Sequence, residues 1–93
     1  MSATFSQHLA AHPDGGHSLC VRITPGSRRA HIKADRSGVR VYVGEPVEGG
    51  RAVDAAIAAL ARRMGRPRSA FSVMERGDES KSPLEVTLRV APL

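Results

Sequence analysis

The residues with the clearest chemical potential lie where a glycine-rich turn leads into a predicted helix. Gly49, Gly50 and Arg51 occupy that turn, and the free backbone N–H groups of a helix N-terminus favour phosphate and other anions. Two basic loops add further positive charge. The candidate anion-binding residues are Arg28, Arg29, Gly49, Gly50, Arg51 and Lys81. The alternative is that these are solvated loop charges, because no GxxxxGK[ST] phosphate loop is present in the sequence.

A second candidate surface is the outward face of the predicted sheet. Basic residues alternate with buried apolar ones along the strands, so their side chains share one face. The candidate residues of this face are Arg22, Arg40, Tyr42 and Arg89. Sequence-tolerant binding of single-stranded nucleic acid normally uses aromatic side chains as stacking platforms, and Tyr42 is the one such residue that the strand pattern places here. The alternative is an ordinary solvated face.

Other chemistry is poorly supported by the sequence. His8 and His12 are four residues apart, but neither Cys nor an acidic cluster accompanies them, so no metal site is predicted. Glu48 and Asp54 suit the positive end of a helix dipole better than an acid–base pair. We therefore predict no catalytic residues and no cofactor.

Composition indicates one small basic domain. The chain has 93 residues, a formal net charge of +5 and one cysteine, Cys20, which excludes an internal disulfide. No apolar run approaches the length of a transmembrane helix, and the N-terminus lacks a signal-peptide pattern. These features predict a cytoplasmic protein without membrane contact, and the Ala, Arg and Gly bias favours a bacterial source.

The hydrophobic pattern predicts the elements that must position these residues. Strands are expected over residues 18–24, 38–43, 71–75 and 84–90, the second as the hairpin partner of the first. An amphipathic helix follows residue 51 and ends at Gly65, and a short second helix begins at Pro67. The prediction is a two-layer α+β domain over residues 18–93, with a four-stranded sheet and both helices on one face (β-β-α-α-β-β).

Two segments stand outside this pattern. Residues 1–17 are poorly patterned, and Phe5, Leu9 and Ala10 suggest at most a turn or two of helix. Residues 28–37 are predicted to be a basic loop, with Ile32 as its inward anchor. Residues 1–17 are treated as an N-terminal segment separate from the domain.

The order of motifs over residues 18–90 resembles the YggU-like family of small uncharacterised proteins. The resemblance is carried by the Val-Arg-Ile-Thr-Pro-Gly-Ser-Arg-Arg run of residues 21–29, by Pro-Val-Glu-Gly at 46–49, by the Ala-rich helix and by the late loop around Gly77. It implies a two-layer α+β fold and no assigned biochemical role. Such proteins typically carry polar residues where this chain has Val53 and Pro83, so a site formed there in the family would be altered here.

Three interpretations of function follow from the sequence. The leading one is a non-enzymatic binding or accessory module for an anionic partner such as RNA or a ribonucleoprotein. The second is a small enzyme or metabolite-binding domain that holds an anionic ligand at residues 49–52. The third is a protein–protein interaction domain that uses a sheet edge, although a monomer is favoured.

Overall fold

The structure, a computed structural model that describes residues 7–92, has two layers, a mixed β-sheet and one α-helix. The elements are β1 (Leu9–Ala11), β2 (His17–Thr24), β3 (His31–Asp35), β4 (Gly38–Tyr42), α1 (Arg51–Met64), β5 (Phe71–Arg76) and β6 (Leu84–Val90). The α+β class predicted from the sequence is therefore confirmed. The sheet, however, has six strands where four were expected.

The sheet order is β3-β4-β2-β6-β5, and β1 pairs with the beginning of β2. β2 and β4 run parallel, with Val21 opposite Val39, whereas the other pairs are antiparallel. The predicted hairpin between residues 18–24 and 38–43 is thus wrong. The hairpin partner of β4 is β3, across a two-residue turn in which the Asp35 carboxylate accepts hydrogen bonds from the Ser37 N–H and hydroxyl groups.

β3 occupies part of the segment that was predicted to be a basic loop. Its inward residues are Ile32 and Ala34, both partly buried against the core. Such a short apolar pattern on an edge strand gives a weak signal, because only one side of an edge strand is paired. Pairing with β4, rather than local propensity, makes this segment a strand.

The helix follows the sequence prediction closely. Its buried stripe consists of Ala52, Val53, Ala56, Leu60 and Ala61, at the spacing of one helical face. Gly65 ends it in the left-handed conformation, with φ of 68°, as the predicted C-terminal glycine should. The expected second helix is instead a single 3₁₀ turn at Arg68–Ala70 that leads directly into β5.

The core lies between α1 and one face of the sheet. Alternate residues of the three central strands point into it and are at most 2% exposed. These residues are Leu19, Val21, Ile23, Val39, Val41, Leu84, Val86, Leu88 and Val90. Residues on the opposite face are half-buried or exposed, as the alternation predicted. We call this second surface the open face; the members used below are Cys20, Arg22, Thr24, His31, Lys33, Asp35, Arg40, Tyr42, Glu85, Thr87 and Arg89.

The described part of the N-terminal segment joins the sheet. Leu9 and Ala10 lie in β1, opposite Leu19 and Ser18 of β2, and not in a helical turn. Phe5 lies outside the described residues. A tight turn at residues 12–16 connects β1 to β2, with Gly15 N–H donating to the His12 carbonyl at 3.0 Å.

Asp14 in this turn links the two ends of the chain, and we expect it to make stability depend on pH. Its carboxylate accepts the Gly16 N–H at 2.9 Å and pairs with Arg89 of β6. These interactions, the Gly16 bond first, lower the pKa of Asp14 below its ordinary value. A depressed folded-state pKa gives stability that is present above the unfolded pKa of about 3.9 and is lost as pH falls through the folded pKa.

The measurement is the urea midpoint of the wild type and of Asp14→Asn at neutral pH and near pH 2.5. The variant should unfold at lower urea at neutral pH, and the difference between the two midpoints should narrow in acid. Glu45→Gln, which removes one exposed carboxylate from the loop after β4, is the control for net charge. A difference between wild type and Asp14→Asn that persists unchanged in acid would contradict this assignment.

Candidate functional site

The segments that carry the predicted anion site meet at one end of the sheet. The loop after β2 is fastened to the end of β4, since Ser27 N–H donates to the Val43 carbonyl at 2.8 Å and Val43 N–H to the Thr24 carbonyl at 3.0 Å. A cavity of about 350 Å³ at this end is lined from the loop after β2, the approach to α1 and the loop before β6. The tertiary fold therefore brings the three segments together.

The helix start has the backbone that its glycines require. Gly49 and Gly50 are both left-handed, with φ of 68° and 73°, and Gly50 occupies the N-cap position without a side-chain capping bond. The Arg76 guanidinium approaches from β5: a methyl group on Gly50 would lie 3.9 Å from its Nη2. Arg76 is already paired, its Nη1 lying 3.0 Å from Glu79 Oε2.

The charges around this cavity do not favour an anion. Lys81 lines it, but so do the carboxylate residues Glu48 and Glu79. The other three candidate cations are exposed and are not among the residues that line it; these are Arg28, Arg29 and Arg51. The structure thus gathers the loops, but of the predicted cations only Lys81 lines this cavity, together with two carboxylate residues.

The open face has a different charge pattern. Lys33 of β3 lies opposite Arg40 of β4, and Arg40 lies opposite Arg22 of β2. We call these three residues the cationic row. Neighbouring strands are about 4.8 Å apart, so the row places three positive charges at consecutive positions across the sheet. Glu85 of β6 ends the row, its Oε2 lying 3.5 Å from Arg22 Nε.

An aromatic pair stands beside the cationic row. Tyr42 lies opposite His31, and the two rings stack with centroids 4.3 Å apart and planes 9° from parallel. Thr24 is the neighbour of Tyr42 on β2. Each of these residues is two positions along its strand from a member of the cationic row, so the two groups share the open face.

The structure separates Arg89 from the rest of the predicted sheet-face site. Arg22 and Arg40 are direct cross-strand neighbours, and Tyr42 is two residues from Arg40. Arg89 lies four residues beyond Glu85 on β6, about 14 Å along the strand, where it pairs with Asp14. Three of the four predicted residues therefore form one group.

Sequence reasoning missed the two residues that complete this group. His31 and Lys33 fell in the segment predicted to be a loop. The signal that indicates their position is the alternation His31-Ile32-Lys33-Ala34, in which every second residue is apolar. Read as a strand, it places an aromatic ring and a cation on the face opposite Ile32.

Three carboxylates in or next to turns have lowered pKa values, and one of them, Asp35, borders the cationic row. Hydrogen bonds from the Ser37 hydroxyl and N–H groups lower the pKa of Asp35, and Arg40 and Lys33 lower it further. Asp35 follows Lys33 by two residues on β3, on the side of the row away from the rings. The open face is therefore asymmetric, with rings on one side of the cations and a carboxylate on the other.

Fold and site together define a small two-layer α+β protein with one open, basic sheet face. Comparison of the chain with protein-family models, with curated proteins and with solved structures found no match. Membership of the YggU-like family therefore stays a prediction. Within residues 7–92, no group of three or more His, Cys, Asp or Glu side chains is arranged to hold a metal, and no helix is long and apolar enough to cross a membrane.

Proposed function

We propose that this protein is an RNA-binding module and that its binding surface is the open face of the sheet. The observation that carries the proposal is the cationic row, in which Lys33, Arg40 and Arg22 occupy consecutive cross-strand positions without a carboxylate between them. Phosphate contacts by Lys and Arg supply most of the sequence-independent affinity for nucleic acid.

In the absence of a ligand, the cationic row destabilises the folded state. Like charges directly opposite each other on neighbouring strands destabilise a sheet by a few tenths of a kcal/mol to about 1 kcal/mol per pair. Arg40 takes part in two such pairs, one with Lys33 and one with Arg22. A bound polyanion would remove this repulsion, since each phosphate places negative charge over the row.

The remaining charge of the protein supports the same partner. The net charge of +5 attracts polyanions at distances up to about the Debye length, roughly 8 Å at physiological salt. Arg28 and Arg29 precede β3 in the chain and are exposed at the end of the sheet where Tyr42 lies. They extend the basic surface beyond the row.

Binding of an anionic metabolite and binding of a protein partner are less well supported than binding of RNA. The cavity beside the helix start holds Glu48 and Glu79 together with Lys81, which disfavours a small anion there. The large exposed apolar residues of the described chain, Val73 and Met74, lie on edge strand β5. A β-bulge between Val73 and Glu75 disrupts the edge that a partner strand would need.

The test is fluorescence-anisotropy titration of the full chain with a short single-stranded RNA over a series of salt concentrations. Three neutralised phosphates predict a slope of log K against log salt of about −2, because single strands give about −0.7 per phosphate. Arg40→Gln should weaken binding and bring the slope to about −1.4. Arg62→Gln removes an equal charge from the last turn of α1, in the other layer, and should leave the slope unchanged.

Two results would contradict the proposal. One is the absence of binding by the wild type at about 50 mM salt, a concentration at which phosphate contacts are strong. The other is an equal loss in Arg40→Gln and Arg62→Gln, which would mean that overall charge acts without a defined surface.

A further inference from the structure

The arrangement of rings and cations on the open face carries information about the form of the RNA. His31, Tyr42 and Thr24 occupy one line of cross-strand positions, and we call this line the ring row. The ring row and the cationic row are two residues apart on each of three strands. At 3.2–3.4 Å per residue, this separation is about 6.7 Å.

The two ring faces of Tyr42 have different neighbours. His31 covers the opposite face, in the parallel stack at 4.3 Å. The neighbour on the other side is Thr24, whose side chain is too short to cover a phenol ring. Tyr42 and Thr24 are half-buried and His31 is exposed.

Near β3 and β4, the charges favour one side of the cationic row for the bases. On the side away from the rings, the positions two residues along from Lys33 and Glu85 are Asp35 and Thr87, and Asp35 is negative at neutral pH. A phosphate backbone held on the row is repelled from that side. The uncharged bases can reach the ring row on the other side, where His31 and Tyr42 carry no carboxylate. At the β2 end of this side, Asp78 and Lys81 of the loop before β6 line a cavity together with Arg22.

We propose that the open face binds single-stranded RNA laid across the β-strands, with its phosphates on Lys33, Arg40 and Arg22 and an unpaired base stacked on Tyr42 above Thr24. This inference rests on the proposed function and names the substrate form that the same site takes. The row spans β3, β4 and β2, about 10 Å, so the direct footprint is two or three nucleotides. Such a footprint implies weak, sequence-tolerant binding.

The ring row favours an unpaired strand over a duplex. In a helix each base is stacked and paired, and no π-face is available to Tyr42. Single-stranded RNA loops and ends present splayed bases, which proteins stack on aromatic side chains, whereas DNA in cells is mostly paired. Stacking accepts any base, because every base has a π-face.

The experiment uses three probes with the full chain. These are a short single-stranded RNA containing 2-aminopurine, the duplex RNA of the same sequence, and the single-stranded DNA of that sequence. Stacking on a ring quenches 2-aminopurine fluorescence, so the wild type should quench the single-stranded RNA on binding. Tyr42→Leu should bind this RNA about tenfold more weakly, without quenching, because stacking on an aromatic side chain contributes of that order.

Three controls separate stacking from folding and from charge. Tyr42→Phe keeps the ring and should bind and quench like the wild type. The salt slope of Tyr42→Leu should equal that of the wild type, because the cationic row is unchanged, and its affinity for duplex RNA should also be unchanged. A thermal melt confirms that Tyr42→Leu is folded.

Failure of this inference can be told from failure of the proposed function. If the wild type binds RNA with the expected salt slope but does not quench 2-aminopurine, or if Tyr42→Leu loses single-stranded and duplex RNA equally, the stacking arrangement is overturned and the cationic row stands. If single-stranded DNA binds as tightly as RNA, the assignment to RNA is overturned. If no probe binds at low salt, the proposed function fails as well.

Discussion

Replacing Leu60 with Asp should abolish the folded state. Leu60 is fully buried in the middle of α1, where it packs on the core face of the sheet. Loss of a buried leucine costs about 2–5 kcal/mol, and burial of an unpaired carboxylate adds several more. A domain of this kind is stable by about 5–15 kcal/mol in total, so the two costs together exceed or nearly exceed the margin.

The effect should be large because α1 alone covers this face in the described chain. The second helix that the sequence predicted, which could also cover this face, is only the 3₁₀ turn at Arg68–Ala70. Circular dichroism and urea unfolding measure the result: Leu60→Asp should lack a cooperative transition. Leu60→Met, which conserves volume and polarity, should cost less than about 1.5 kcal/mol. A cooperative transition in Leu60→Asp close to that of the wild type would show that α1 does not hold the core.

Arg40→Glu should change stability and RNA binding in opposite directions. The new carboxylate would stand between Lys33 and Arg22, which turns two repulsive cross-strand pairs into attractive ones. Cross-strand pairs contribute roughly 0.2–1 kcal/mol each, and loss of the attraction between Arg40 and Asp35 offsets part of the gain. The free energy of unfolding should therefore rise by at most about 1 kcal/mol. For a domain of this size, a full 1 kcal/mol corresponds to a rise of about 4–8 °C in melting temperature, which is the upper limit expected here.

RNA binding by Arg40→Glu should fall steeply. The row changes from three positive charges to a net charge of one, and the slope of log K against log salt should approach −0.7. Two charge units at contact distance in water are equivalent to about 2 kcal/mol, which corresponds to roughly 30-fold in affinity. Melting curves and anisotropy titrations on the same preparation measure both effects.

The opposite changes in stability and RNA affinity make this variant informative, because a loss of folded protein would lower both. Arg62→Glu provides the matched control, because it makes the same charge change in the last turn of α1, in the other layer. If Arg40→Glu is less stable than the wild type, Arg40 has a structural role that the row does not explain. If it keeps full RNA affinity, the open face is not the binding surface.

Local sequence patterns predict much of the fold. The stripe of Val53, Ala56 and Leu60 defines α1, and Gly65 ends it, because helix periodicity and left-handed backbone are local properties. The alternation in β2, β4 and β6 likewise defines which residues face the core. The orientation of Arg22, Arg40 and Tyr42 towards solvent follows from that alternation.

Strand β3 shows where local reasoning fails. Only Ile32 and Ala34 mark its inward side, and charged residues surround them, so the segment has the composition of a loop. It forms a strand because it can pair with the free edge of β4, in the register that directs Ile32 and Ala34 towards the core. Because β3 is the hairpin partner of β4, β4 pairs with β2 in parallel and not in the antiparallel arrangement that the sequence predicted.

The α+β class, the main amphipathic helix, the basic character of the chain and the face on which Arg22 and Arg40 lie all follow from the sequence alone. Which cations are neighbours depends on the tertiary structure. Lys33, Arg40 and Arg22 come together through the register of three strands, and Arg89 is held apart on the same face by its distance along β6. Register depends on pairing between distant segments, so alternation within one strand fixes the face of a side chain but not its neighbours across the sheet.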